Sequence, residues 1–342
     1  MGGRSLKWWC APLWILQLAT GAKSFVDNPI IGSSRLNRLG LHAARLKLAH
    51  RLAWWRRRRL ARLMNDEDRM AFDRDGYRCI HNFLPEDQFA RLRDFLLTQK
   101  WPAREHRQGD TITRRIPIDD VMVRQCPELG QLLRSPRWKG LMRYVASTGG
   151  EPLYYLQTII TGGDGPADPQ LQLHSDSFQP SLKAWFFLAD VASNEAAFTY
   201  VAGSHRLTSG RLEWEKKKSV TIGSEGDRLS QRGSFRICRE ELAQLGLPEP
   251  IAIAVPANSL VVADTFGFHA RGASDHPVVR AEIWAYRRRS PFLPWIGFDP
   301  LSIPKLALRR AQWRYRLIDW LAARGLAQQH WTESGIKSAR DR

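Results

Sequence analysis

The chain has 342 residues, 43% hydrophobic and 25% charged, which is enough to bury a real core and excludes a disordered or fibrous protein. Its four scattered cysteines, Cys10, Cys79, Cys126 and Cys238, form no CxxC pair and no zinc-type spacing; that excludes a disulfide scaffold and suits a reducing compartment. The net charge of +18 is concentrated at the two ends: the stretch 63–286 carries only −2, so the anionic contact it implies belongs to the arms and not to the body.

Residues 1–62 hold 13 Lys/Arg and one acid. Within them the apolar run Trp8–Ala22 contains Pro12, Gln17 and Thr20 and is too short to span a bilayer. Arg4 and Lys7 precede it and three tryptophans lie in it, so it reads as an interfacial anchor or as a signal segment. From Ser34 to about Leu63 the pattern is helical. Leu41, Ala44, Leu48, Leu52 and Trp55 form an apolar stripe opposite Arg38, His42, Arg45 and Lys47, and the run closes on Arg56-Arg57-Arg58-Arg59. Either this basic amphipathic helix packs on its own domain with a solvated charged face, or it meets a membrane.

"DEDRMAFDRDGYRCIHNFLPEDQFARLRDFL" then predicts an acidic helix start, a Gly76 turn, a short strand, and a second helix opened by Pro85-Glu86-Asp87. From Leu153 the texture becomes short apolar runs separated by Gly, Pro, Asp and Ser. Strands are expected at 153–160, 171–174, 181–188, 197–202, 250–255, 259–264 and 278–286, a pattern for a sandwich or barrel. Beyond Pro291 the chain turns basic and helical again, with Trp295, Trp313, Trp320 and Trp331. The expected division is a basic arm 1–62, a body 63–290 and a basic helical arm 291–342.

"LQLHSDSF" closes one apolar run. In a strand, residues two apart point to one side, so His174 and Asp176 would aim one imidazole and one carboxylate at one point. A turn built on Ser-Asp-Ser is the bland alternative. A facial metal site needs a second histidine and leaves three positions open. His269, 95 residues on and after a strand, would supply it if a late strand lies beside the early one. Eleven residues later Arg280 shares a strand parity with Glu282, Trp284 and Tyr286, and a guanidinium there can hold a carboxylate bidentately. Arg271 and Lys183, the latter on one strand face with Trp185, are rival clamps.

Through "FDRDGYRCIHNFLPEDQF", "LHSD", "AWFFLADVASNEAAFTYVAGSHR" and "FGFHARGASDHPVVRAEIW" the sequence resembles the phytanoyl-CoA dioxygenase family of iron(II)/2-oxoglutarate oxygenases over roughly residues 66–290. The resemblance implies a double-stranded β-helix (jelly roll, cupin-like), mainly β with flanking helices. It also implies His174, Asp176 and His269 as iron ligands and Arg280 as the clamp for the far carboxylate of 2-oxoglutarate. Trp185 and Ile159 would line the cosubstrate pocket, and Gly203-Ser204-His205 would be a structural turn. Arg271 replaces a commonly small residue, and Asn194-Glu195-Ala196-Ala197 replaces an Asn-Gly turn. The implied reaction uses O2, with ascorbate as an optional reductant, and hydroxylates a C–H bond; related halogenases lack the carboxylate that Asp176 provides.

The expected substrate is small or amphiphilic and lipid-like, met by a cytoplasmic enzyme with peripheral contact at the inner face of an anionic membrane. Two rival readings are a nucleic-acid-directed oxygenase, drawn from the charge, and a membrane-surface binding protein on a jelly-roll scaffold. The nearly neutral body and Tyr286, six residues past Arg280, weigh against nucleic acid. The HxD…H…R set weighs against a mere binder.

Overall fold

A computed structural model describes residues 11–297, 299 and 302–341; Cys10 and the start of the expected anchor at Trp8 and Trp9 lie outside the described residues. Among the described residues eleven strands form: β1 (Tyr77–Ile80), β2 (Trp101–Gln108), β3 (Thr111–Pro117), β4 (Leu153–Ile160), β5 (Leu182–Phe187), β6 (Phe198–Tyr200), β7 (Ile251–Ile253), β8 (Ser259–Asp264), β9 (His269–Arg271), β10 (Val279–Arg287) and β11 (Thr332–Lys337). Eight make one sheet in the order β1-β8-β5-β10-β4-β3-β2-β11, and three make a smaller one, β7-β6-β9. Every pairing is antiparallel. This is a double-stranded β-helix with flanking helices.

Strand alternation explains the layers. One parity of the central strands, including Phe186, Leu260, Ile283 and Leu156, packs under helices 66–75, 86–98 and 136–145, against Phe72, Leu92 and Trp138. The other parity, Trp185, Phe187, Val261, Tyr155 and Trp284, faces Phe198, Tyr200 and Ile253 of the small sheet. The polar members of that inward parity, Arg280, Gln157 and Lys183, therefore lie inside the barrel, where the site forms.

Most expected strands form within a residue or two, but 171–174 does not. It is a short helical turn at Pro169–Leu171 followed by a single bridging residue, His174. The sequence reading missed β2 and β3, whose charged residues pair across the hairpin, as Arg114 Nε does with Glu105 Oε1 at 2.7 Å. It also missed β11. Residues 310–322 are helical, but the arm then returns as a strand on the edge of β2. Arg104 holds Asp319 through two bonds of 2.9 and 2.6 Å.

The N-terminal helix, Leu41–Leu60, is inside-out relative to expectation. Its packed side carries His42, Arg45, His50, Arg56 and Arg57 among Ala43, Leu46, Ala49 and Ala53, whereas Ala44 and Leu48 are exposed. The buried arginines have specific acceptors. Arg57 donates to Tyr144 O, to Val145 O at 2.7 Å and to Asp264 Oδ2 at 2.7 Å, and Arg56 donates to Ser147 O at 2.8 Å and Leu293 O at 2.7 Å. Tyr144 and Val145 end helix 136–145, whose last carbonyls have no partner within the helix and carry its negative dipole end. The guanidinium caps them. Likewise His42 Nε2 meets Glu215 of helix 209–225 at 2.9 Å, and Arg211 reaches the same carboxylate at 3.0 Å.

One glycine is demanded by geometry. Helix 66–75 ends on Gly76 with φ +84, and a Cβ there would lie 2.4 Å from His205 Nδ1. That contact docks the helix end on the Gly203-Ser204-His205 turn. In the same turn Ser204 Oγ donates to Val201 O and accepts from Phe268 N–H at 2.8 Å, one residue before His269.

Candidate metal centre

His174 and His269 are direct neighbours across an antiparallel bridge. The N–H of His174 donates to His269 O at 2.9 Å, and that of His269 donates to His174 O at 3.0 Å. Opposed residues of such a pair project to the same face, and the two rings lie 4.5 Å apart. Asp176 is fixed by its own N–H, which donates to Thr265 O at 2.9 Å. Its Oδ1 lies 3.7 Å from His174 Nε2 and 3.6 Å from His269 Nε2. All three ligand atoms fall within 4.8 Å of one another. His174 and Asp176 approach one point through a bridge and a turn, not through the strand alternation expected of them.

The tautomers follow from the partners. His174 Nδ1 faces Gln172 O at 2.8 Å and His269 Nδ1 faces Gly267 O at 2.9 Å. A carbonyl only accepts, so Nδ1 carries the proton in each ring and Nε2 keeps its lone pair for a metal. His269 Nε2 is buried and bonds to no protein atom among the described residues. Two such nitrogens and one carboxylate oxygen are the donor set of a facial iron site with open positions. Gly267 is held close: a Cβ there would lie 1.9 Å from the Tyr200 hydroxyl, which itself donates to Asp264 O at 2.8 Å.

Charge prepares the ligands. Burial and the neighbouring His269 push His174 well below the usual histidine range, so it is neutral and able to coordinate. Burial alone would raise Asp176, but Lys183 and the two histidines outweigh it and hold the carboxyl well below its usual range. Lys183 Nζ stands 2.7 Å from Asp176 Oδ2, leaving Oδ1 toward the histidines. From the other side the Lys23 ammonium donates to the Asp176 carbonyl.

These groups line a cavity of about 210 Å3 that also holds Trp185, Ile159, Arg271 and Arg280. The three candidate clamps each meet a protein carboxylate: Lys183 meets Asp176, Arg271 meets Asp168, and Arg280 meets Glu282 at 2.8 Å while also donating to Ala196 O. Ile159 is the cross-strand partner of Arg280, and the Trp185 ring stacks 4.2 Å from Phe198.

Sequence reasoning missed Arg115 on β3. It donates from Nε to Gln157 Oε1 at 2.9 Å, lies 3.8 Å over the Trp284 ring and 4.5 Å from the Trp331 ring, and has no carboxylate in contact among the described residues. Burial pulls it below the usual arginine value. The available signal was the alternation in "TITRRIP", which places Thr111, Thr113 and Arg115 on one parity.

Residues 72–227 match the model of the phytanoyl-CoA dioxygenase (PhyH) family. The match takes in His174, Asp176 and Trp185, while His269 and Arg280 lie beyond it and are joined to them by the fold. No curated protein sequence matches the chain. Among solved structures it is similar to the non-heme α-ketoglutarate-dependent epimerase SnoN from nogalamycin biosynthesis, at 18% identity over 70% of this chain and 93% of that one, TM-score 0.41. It is also similar to HygX from Streptomyces hygroscopicus with nickel and 2-oxoglutarate bound, at 16% identity over 66% and 87%, TM-score 0.43. AviO1 from Streptomyces viridochromogenes Tue57 is similar at 17% identity over 71% and 98%, TM-score 0.39.

Proposed function

We propose that this chain, part of which matches the PhyH family model, is an iron(II)/2-oxoglutarate-dependent oxygenase that hydroxylates a C–H bond of a small or amphiphilic substrate. The observation that carries the reading is the convergence of His174 Nε2, His269 Nε2 and Asp176 Oδ1 on one point of a cation-lined cavity. The net reaction takes R–H, 2-oxoglutarate and O2 to R–OH, succinate and CO2. Bound iron supplies the activation of oxygen and the site for the keto acid.

The chain's own residues bind, orient and keep the site dry. Lys183 fixes which oxygen of Asp176 faces the metal, and the two backbone carbonyls fix the imidazole tautomers. Trp185 and Ile159 wall the cosubstrate, and Arg280 takes its far carboxylate with two of its five N–H groups still free of Glu282 and Ala196. Arg115, the cation without a carboxylate, is the second anion-binding group of the cavity. In this reading Lys183 serves Asp176 and Arg271 serves Asp168, and the choice of Arg280 over them as clamp is what the variants below test.

The substrate side of the reading is an amphiphile reached in the cytoplasm at the inner membrane face. Cys79, Cys126 and Cys238 are all unpaired, as a reducing compartment allows. No helix among the described residues is long and apolar enough to cross a membrane.

The test is iron reconstitution under anaerobic conditions followed by 2-oxoglutarate and O2, with succinate measured. Arg280→Ala and Arg115→Ala are expected to raise the 2-oxoglutarate requirement by two to four decades, as about 3–5 kcal/mol for a one-sided break of a buried ion pair implies. Iron binding should change little in either. Normal cosubstrate binding in both, with loss in Lys183→Ala or Arg271→Ala, would contradict the assigned pocket. Profiling of lipids and metabolites in a deletion strain should show loss of a species heavier by one oxygen atom.

A further inference from the structure

The outward face of helix Leu41–Leu60 is unexplained by the fold. The helix packs through Leu46, Ala49 and Ala53 and through buried His42, Arg45, Arg56 and Arg57. At spacings of three and four, its other side carries Ala44, Lys47, Leu48, Arg51, Leu52, Trp55, Arg58 and Arg59. Leu48 is 48% exposed, and Leu39, at the turn that leads into the helix, is 78% exposed. The Arg59 guanidinium lies 3.7 Å over the Trp55 ring. From Asn28 to Asn65 the sequence contains no acidic residue. A soluble helix ordinarily turns leucine in and arginine out; on this face exposed Leu48 and half-buried Leu52 and Trp55 stand beside exposed Arg51, Arg58 and Arg59.

We propose that this face is a docking surface for an anionic lipid bilayer. The stripe has the two components such a surface requires. Leu48, Leu52 and Trp55 can enter the boundary between headgroups and acyl chains, and Lys47, Arg51, Arg58 and Arg59 flank them to meet lipid phosphates. A second copy of the chain is a poor occupant, because a self-complementary contact would set four cations against four. Nucleic acid is also a poor occupant, because aliphatic side chains give bases nothing to stack on and the stripe offers a single aromatic ring.

The surface is joined to the metal centre through the same helix. Arg57 holds Asp264, the last residue of β8, whose carboxylate accepts from the Ser181 and Phe266 N–H groups and whose carbonyl accepts from the Gly267 N–H, bracing the turn that leads to His269. Docking therefore deepens the proposed function by naming where an amphiphilic substrate is met, and it stands without the iron chemistry.

The experiment is flotation of the full chain with vesicles of phosphatidylcholine alone and of phosphatidylcholine with phosphatidylglycerol, at low and high salt. Two variants are compared: Leu48→Glu with Leu52→Glu, and the triple change Arg51→Ala, Arg58→Ala, Arg59→Ala. Circular dichroism and iron(II) binding check that each variant is folded. The expected result is flotation with the anionic vesicles, weakened by salt, and reduced about tenfold or more in either variant with iron binding retained. Flotation equal to the parent in both variants overturns the proposal, as does no flotation of the parent. A change of oligomeric mass in the leucine variant assigns the face to a second copy. A salt-sensitive duplex shift lost in the arginine variant, without flotation of the parent, assigns it to nucleic acid. Absent succinate production with intact flotation refutes the oxygenase and leaves the docking surface standing.

Discussion

The barrel interior and the N-terminal helix solve burial in opposite ways. Between the two sheets, apolar rings and branched side chains meet each other, and the few polar groups turn inward to a single cavity. Along helix 41–60 polar groups are spread over the packing face beside Leu46 and Leu60, the arginines and His42 each with their own partners, while Leu48 stays outside. The first arrangement gathers donors and acceptors where something is to be bound. The second uses them as mortar: Arg57 closes the end of helix 136–145 and Arg56 takes Ser147 O beside it. Buried polarity is thus spent on function in one region and on assembly in the other.

The sharpest break of that contrast removes a ligand. His174→Ala or Asp176→Ala should abolish iron(II) binding and all succinate production while leaving the melting transition of the barrel in place. Calorimetric titration and thermal unfolding of the two variants check this. A ligand variant that loses the fold instead would make the site part of the mortar.

The next largest effect falls on the helix. Arg57→Ala leaves the buried Asp264 carboxylate with two backbone N–H donors and no cation, which costs about 3–5 kcal/mol, and the double change Arg57→Met with Asp264→Asn should cost less than the single one. Denaturant melts of the three chains read the difference.

How much of this was legible follows from the same contrast. In β10 the alternation separating Arg280 and Trp284 from Ala281 and Ile283 survives in the structure, because a strand buried on both faces has only two choices per residue. His174, Asp176 and His269 were legible because few residue types coordinate metals. The N-terminal helix was legible but its packed face was not, since periodicity counts arginine as outward and cannot see the distant carbonyls that draw Arg56 and Arg57 in. The β2–β3 hairpin was hidden by charges that pair across it, and with it Arg115. The partners of Lys183 and Arg271, namely Asp176 and Asp168, depend on loops whose course no local pattern encodes.

A pH series sharpens the comparison further. Burial and the nearby Arg57 push His50 on the helix down to about 3. The unfolded chain therefore binds a proton below the ordinary value near 6.5 that the folded chain refuses, so stability falls as pH drops through 6.5. By pH 5 the loss is about 2 kcal/mol. His50→Gln should flatten the melting-temperature profile between pH 7 and pH 5 by that amount. An unchanged profile would mean that His50 titrates normally in the fold.

The smallest effect is expected where the two regions differ most visibly. Leu48→Ser, on the exposed stripe, should move unfolding free energy by no more than about 0.5 kcal/mol. A larger loss in a denaturant melt would show that this leucine packs after all.

The central claim is tested most directly by anaerobic titration of iron(II), then 2-oxoglutarate, into the metal-stripped chain. The account predicts one iron per chain, 2-oxoglutarate binding that requires the iron, and loss of both in His269→Ala, the ligand that lies outside the matched family segment. Iron and 2-oxoglutarate binding undiminished in His269→Ala would contradict it.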